Sequence, residues 1–226
     1  MRKVLLTTAL AVALTLGVSS TANAALAVTI CDFTGGICVT LDDNVAGEDL
    51  DATAGTLLFS GAVGSFNVSV EGATSNATGG PLSSFVTNNI SAVNTTGAAR
   101  TLTVEASDDS FLFPGATTAF LDCQSSGTAA EFTTGTAQTN CTADGTTINL
   151  AAYNIPGAQQ DDMNFVIGSQ PYTISNFSTI NFNANANLQV TQTTTVTAVP
   201  EPASLLLLGT GLFGAAAAAR RRVRKA

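Results

Sequence analysis

The chain has 226 residues, a formal net charge of −8, and neither His nor Trp. Without His the usual general base is absent, and the Ser-His-Asp and Cys-His nucleophilic arrangements are excluded. All the basic residues except Arg100 lie in the first three or last seven positions, so residues 25–198 set one cation against fifteen carboxylates, a formal charge of −14 that disfavours nucleic acid and anionic lipid.

Residues 1–24 read as an export signal. Arg2 and Lys3 give a positive start, Val4 to Val18 is apolar apart from Thr and Gly, and Ser19 to Ala24 is small and polar. Ala22 and Ala24 fit the narrow pockets of signal peptidase, which predicts cleavage after Ala24.

Residues 25–198 read as one all-β domain. Leu26–Ile30, Thr56–Ser60, Phe66–Val70 and Thr101–Ala106 alternate apolar with small polar residues between clusters of Gly, Asn, Asp and Ser. Further strands are expected over Thr146–Tyr153, Asn164–Ile167, Tyr172–Phe177, Thr179–Asn183 and Asn187–Thr197, and Gly61 to Gly64 reads as a hairpin link. Nothing in this stretch has the 3.6-residue period of an amphipathic helix. About ten short strands predict a single antiparallel β-sandwich, jelly-roll-like, with eleven Phe supplying much of its core.

The four cysteines are near neighbours in pairs, Cys31 with Cys38 and Cys123 with Cys141. In an exported chain two local disulfides are expected, and the spacing leaves the other two connectivities open. The absence of His and of C-x-x-C argues against zinc. Calcium is the one candidate ion, through the acidic run Asp42, Asp43, Glu48, Asp49 and Asp51 or near Asp108-Asp109 or Asp161-Asp162, although Ala46 and Thr53 break an EF-hand pattern.

The end of the chain has three parts in order: Val199-Pro200-Glu201-Pro202, an apolar run from Ala203 to Ala219, and a tail containing Arg220, Arg221, Arg222, Arg224 and Lys225. Seventeen helical residues reach about 25 Å, near the lower limit for a transmembrane helix. The tail then stays cytoplasmic and the rest of the chain outside. Gly209 to Gly214 spells G-x-G-x-x-G, but inside an apolar segment twelve residues from the end it has no strand before it and no acidic partner after it.

Residues 199–226, with motif, apolar span and Arg-rich tail in that order, resemble the PEP-CTERM sorting signal of Gram-negative bacteria. The resemblance implies that an integral membrane protease, exosortase, recognises Pro200, Glu201 and Pro202 while the helix and basic tail hold the substrate. It implies a chain anchored in the inner membrane during sorting and then placed in the envelope, at the cell surface or in the extracellular matrix. It implies nothing about the ligand of residues 25–198. With one Arg, no Lys and no His there, the expectation is a non-enzymatic structural or adhesive protein. A carbohydrate- or calcium-binding module, with extracellular polysaccharide as partner, is the second reading. A carboxylate-based glycoside hydrolase is the third, weakened because Tyr153 and Tyr172 are the only aromatic residues besides Phe.

Overall fold

The computed structural model describes residues 26–75, 83–112, 118–168, 170–199 and 210. The cleavage residues Ala22 and Ala24, the motif Pro200, Glu201 and Pro202, and Arg220 to Lys225 lie outside that set, as does the expected membrane helix except for Thr210, which is helical. Among the described residues no helix is long and apolar enough to cross a membrane.

Thirteen strands build the domain: β1 (Ala27–Asp32), β2 (Ile37–Asp42), β3 (Thr56–Val63), β4 (Phe66–Ser75), β5 (Ser83–Asn94), β6 (Arg100–Phe111), β7 (Thr118–Ala129), β8 (Gly135–Ala143), β9 (Thr146–Asn149), β10 (Tyr153–Ile155), β11 (Gly157–Val166), β12 (Tyr172–Phe182) and β13 (Asn187–Ala198). They form two antiparallel sheets. One runs β10-β8-β12-β6-β1-β2 with β9 also on β8, and the other runs β11-β7-β13-β5-β4-β3. From β5 onward successive strands alternate between the sheets, with β9 and β10 acting as one interrupted strand along β8. That is the jelly-roll connection expected from the sequence. The hairpins β1–β2 and β3–β4 widen the sheets at neighbouring edges.

The strand boundaries differ from the sequence reading in three ways. Tyr172–Phe177 and Thr179–Asn183 are one strand, because Ser178 is an inward residue of a continuous ladder rather than a break. Thr146–Tyr153 is divided by an irregular stretch at 150–152. The long strands β5, β7 and β8 are not legible in the sequence, because many of their inner positions hold Ser, Asn, Ala, Cys and Thr and blur the apolar alternation. The edge strand β2, with Ile37, Val39 and Leu41 on its inner side, and the first part of β11 are strands the sequence reading did not include.

The core lies between the sheets. Val28, Ile30, Leu57, Val70, Leu102, Val104, Leu121, Ile174, Ile180, Val190 and Val196 are buried there, each stabilising the fold by about 1.5–3 kcal/mol on transfer from water. Phe contributes less than the sequence suggested. Phe66 packs on Phe182 at 5.0 Å and Phe111 on Tyr172 at 5.8 Å. Phe33 and Phe132, however, are 74% and 98% exposed in turns, and Phe59, Phe85, Phe120 and Phe177 are half-buried. On the β7/β8 side the facing residues are small, with Ala119, Cys123 and Ser125 opposite Ala137, Thr139 and Cys141. The backbones approach there, and the Cys123–Cys141 disulfide, with Cα atoms 5.6 Å apart, joins one sheet to the other. Cys31–Cys38 joins directly opposed residues of the β1–β2 hairpin.

A second tie between the sheets is polar. Asp32, at the end of β1, is fully buried and accepts the Gly35 N–H at 2.8 Å and, across the sandwich, the Ser65 N–H at 2.9 Å in the β3–β4 turn. Gly64 must be glycine, since φ is +55° and an added Cβ would sit 2.5 Å from Asp32 Oδ2. Leu26 and Val199, the two ends of the described domain, lie at the opposite pole of the sandwich, together with the acidic 42–55 segment.

Candidate functional site

Three regions carry polar chemistry. The first is the acidic segment. Its carboxylates are occupied by the backbone. Asp49 accepts N–H bonds from Asp51, Leu58 and Asn44, Asp43 accepts from Gly55, Asp51 from Thr53, and Glu48 from Asp42. Burial would raise the Asp49 pKa, but the three N–H donors and a hydrogen bond with Asp43 outweigh it and hold the group below its usual value. Asp43 moves upward, first through burial and then through the negative charges of Asp49 and Asp108, with the Gly55 N–H opposing them. Asp43 Oδ1 and Asp108 Oδ2 are buried without a hydrogen-bond partner. The two residues flank Leu26 on neighbouring strands, and its buried side chain lies on the same inner face. Among the described residues no three Asp, Glu or Cys groups converge on a point that would hold a metal ion.

The second region is interior. Asn88, Gln192 and Ser125 are register neighbours on β5, β13 and β7, and all point inward. Ser125 bonds the Tyr153 hydroxyl at 2.9 Å and accepts from Thr139 at 2.8 Å, and Thr139 in turn contacts Ser178. Tyr153 and Tyr172, the two tyrosines available as sugar platforms, are therefore core residues. Burial raises both pKa values, that of Tyr172 to about 12, where Asp144 adds to the effect and Ser84 opposes it. A belt of hydroxyls and amides offers no group that changes charge between pH 5 and 8.

The third region is the outer face of the six-stranded sheet. Thr191, Thr193 and Thr195 on β13 point outward, flanked in turn by Asn89, Thr87 and Phe85 on β5 and by Ser126, Gln124 and Asp122 on β7. Strand spacing and alternation place these side chains about 5 Å apart across the sheet and about 7 Å apart along it. They bond to one another: Thr87 to Thr193, and both Gln189 and Thr191 to Asn89, each at 3.2 Å. A shallow depression of about 360 Å³ crosses this lattice, lined by Gln124, Ser126, Gln160, Thr191 and Thr193. Asp122 is the carboxylate at its border, holding the side-chain amides of Gln124 and Gln160. The sequence reading missed this face. Its signal was the Thr-x-Thr-x-Thr run of 191–195, visible only once the strand's inner side is known.

No curated protein matches the chain in sequence. Among solved structures it is similar in fold to TmCBM61 in complex with beta-1,4-galactotriose, at 7% identity over 59% of this chain and 88% of that one, with a TM-score of 0.32. The N-terminal cellulose-binding domain of Cellulomonas fimi beta-1,4-glucanase C aligns at 12% identity over 49% and 84%, with a TM-score of 0.22. Broad Bean Stain Virus aligns at 10% identity over 81% and 91%, with a TM-score of 0.23. At such scores these likenesses carry no argument about ligand or activity. Residues 198–222 match the model of the PEP-CTERM protein-sorting motif. The chain thus carries the sorting signal of an exported protein.

Proposed function

We propose that the chain is a non-enzymatic structural or adhesive protein of the cell surface or extracellular matrix, a disulfide-bonded jelly roll delivered by its sorting signal. Signal peptidase removes residues 1–24, the apolar segment 203–219 lodges in the inner membrane with Arg220 to Lys225 in the cytoplasm, and an exosortase-type protease reads Pro200, Glu201 and Pro202. The match at 198–222 carries the sorting part of this reading, and the single Arg and the lack of Lys and His in residues 25–198 support its non-enzymatic part. Two disulfides fit an oxidising compartment outside the cytoplasm. The test is fractionation of wild type and Glu201→Ala: the variant should accumulate unprocessed in the membrane, and identical size and compartment for both would reject motif-directed sorting.

The outer lattice supports a second reading, an adhesive role through neutral polysaccharide. Its Thr, Asn, Gln and Ser side chains are both donors and acceptors, as recognition of sugar hydroxyls requires. Calorimetry with purified extracellular polysaccharide decides this, since saturable heat supports it and a flat titration leaves a structural role.

A further inference from the structure

The sorting motif begins where the sheet ends. β13 is an interior strand, paired with β7 and β5 along its whole length. Its last pairs are Thr197 with Ser83 and Phe120, and Ala198 with Ala119. Beyond them the Val199 N–H still donates to the Thr118 carbonyl at 3.0 Å. Pro200 follows and has no N–H, so the ladder cannot continue from it. No spacer separates the folded domain from the first residue of the motif.

The reach is short. From Val199 to Ala203 the fully extended chain covers at most about 14 Å, and the headgroup layer alone takes about 5–7 Å of that. The pole of the sandwich facing this gap carries Asp42, Asp43, Glu48, Asp49, Asp51, Asp108 and Asp109, which anionic headgroups repel within a Debye length of about 8–10 Å. A protease cleft that grips an extended peptide needs backbone groups on both sides of its target. Those just upstream, from Thr197 to Val199, are engaged in the sheet.

The geometry points to a folded domain that holds back its own processing: the C-terminal end of β13 must leave the sheet before the protease can seat the motif. This rests on the reading that Pro200 to Pro202 is the recognised sequence. The end of β13 is suited to release. Ala198 is small, Val199 is at the surface, and each ladder bond broken lowers the released population only about two- to tenfold.

The experiment is pulse-chase maturation of the full chain in the producing bacterium. Ten Gly/Ser residues inserted between Val199 and Pro200 should shorten the processing half-time about tenfold. The pair Ala119→Cys/Ala198→Cys should lengthen it at least tenfold, and adding the insertion to that pair should restore maturation. The Val199–Thr118 bond makes Ala198 and Ala119 a non-hydrogen-bonded pair, with the close Cα approach a disulfide needs. An unchanged half-time on insertion overturns the inference, as does wild-type processing of the cross-linked chain with its bond verified by mass. Should the cross-linked chain not fold, the insertion decides alone, because it lies outside the ladder. Normal maturation of Glu201→Ala in the same assay overturns the motif reading itself, a result separate from the insertion.

Discussion

Replacing Asp32 tests how the two sheets are held together. Its carboxylate takes the Gly35 and Ser65 N–H groups at 2.8 and 2.9 Å, from a fully buried position. Hydrogen bonds to a charged group contribute about 1.5–3 kcal/mol each, so Asp32→Ala, which leaves both donors without an acceptor, should cost about 3–5 kcal/mol. Asp32→Asn keeps one acceptor and turns an NH₂ toward the other donor, for a cost of about 2 kcal/mol. Burial by itself would raise the Asp32 pKa, but the Ser65 and Gly35 N–H groups, the Ser65 side chain and the Arg100 charge overcome it and hold the group below 3.8. A depressed acid stabilises the fold above its unfolded pKa, and that contribution is lost as pH falls through the folded value. The gap between wild type and Asp32→Asn should therefore be constant from pH 5 to 8 and close below about pH 4. Guanidinium unfolding of the detergent-solubilised full-length chain, followed by circular dichroism, measures both. A cost below about 1 kcal/mol for Asp32→Ala at pH 7, or a gap to Asn that persists at pH 2, would refute the reasoning.

The disulfides should rank by the loop each closes. With its cysteines 18 positions apart in sequence, Cys123→Ala/Cys141→Ala should lose about 3 kcal/mol, and Cys31→Ala/Cys38→Ala, 7 positions apart, about 2, so the reverse order in the same unfolding assay contradicts the loop argument. Asp43 has the opposite sign to Asp32. Its raised pKa means that the charged form burdens the fold, so the protonated group's advantage is present below the unfolded pKa and lost as pH rises through the folded one. Asp43→Asn, which can still accept the Gly55 N–H, should raise the melting temperature at pH 7 and leave it unchanged at pH 3; a lower value at pH 7 would contradict the sign.

What the sequence made legible followed from what alternation and compartment can encode. β1 and the first halves of β6 and β13 place Val, Ile or Leu on alternate inner positions, and a period of two reads directly as a half-buried strand. β7 and β8 place Ala, Cys, Ser, Gly and Thr inward because the sheets close together there, and small inner residues look like outer ones. The same closeness explains why Cys123 and Cys141, neighbours along the chain, join different sheets. Asp32 was invisible for another reason. Its role depends on Ser65, thirty-three residues away on the other sheet, and no local spacing links an Asp before a Gly-Gly turn to a distant backbone N–H. The lattice on the six-stranded sheet is equally non-local, since Thr87 and Thr193 meet only through strand pairing.

The two poles of the sandwich are chemically unlike, and the position of the sorting signal gives the difference a direction. Carboxylates crowd the pole from which residue 200 departs, while the opposite pole has the turns that expose Phe33 and Phe132 and holds Arg100 beside Asp32. During sorting, the proposed membrane segment would keep the acidic pole against anionic headgroups and point the aromatic turns outward. Like charge at a contact this close favours separation. Repulsion at the tether and release of β13 then act together, since both lengthen the path between the sheet and the lipid. Asp42→Lys/Asp109→Lys, at two exposed carboxylates of this pole that hold none of its backbone N–H groups, would weaken the first effect and keep the second, so maturation should slow in pulse-chase while the unfolding midpoint stays that of wild type.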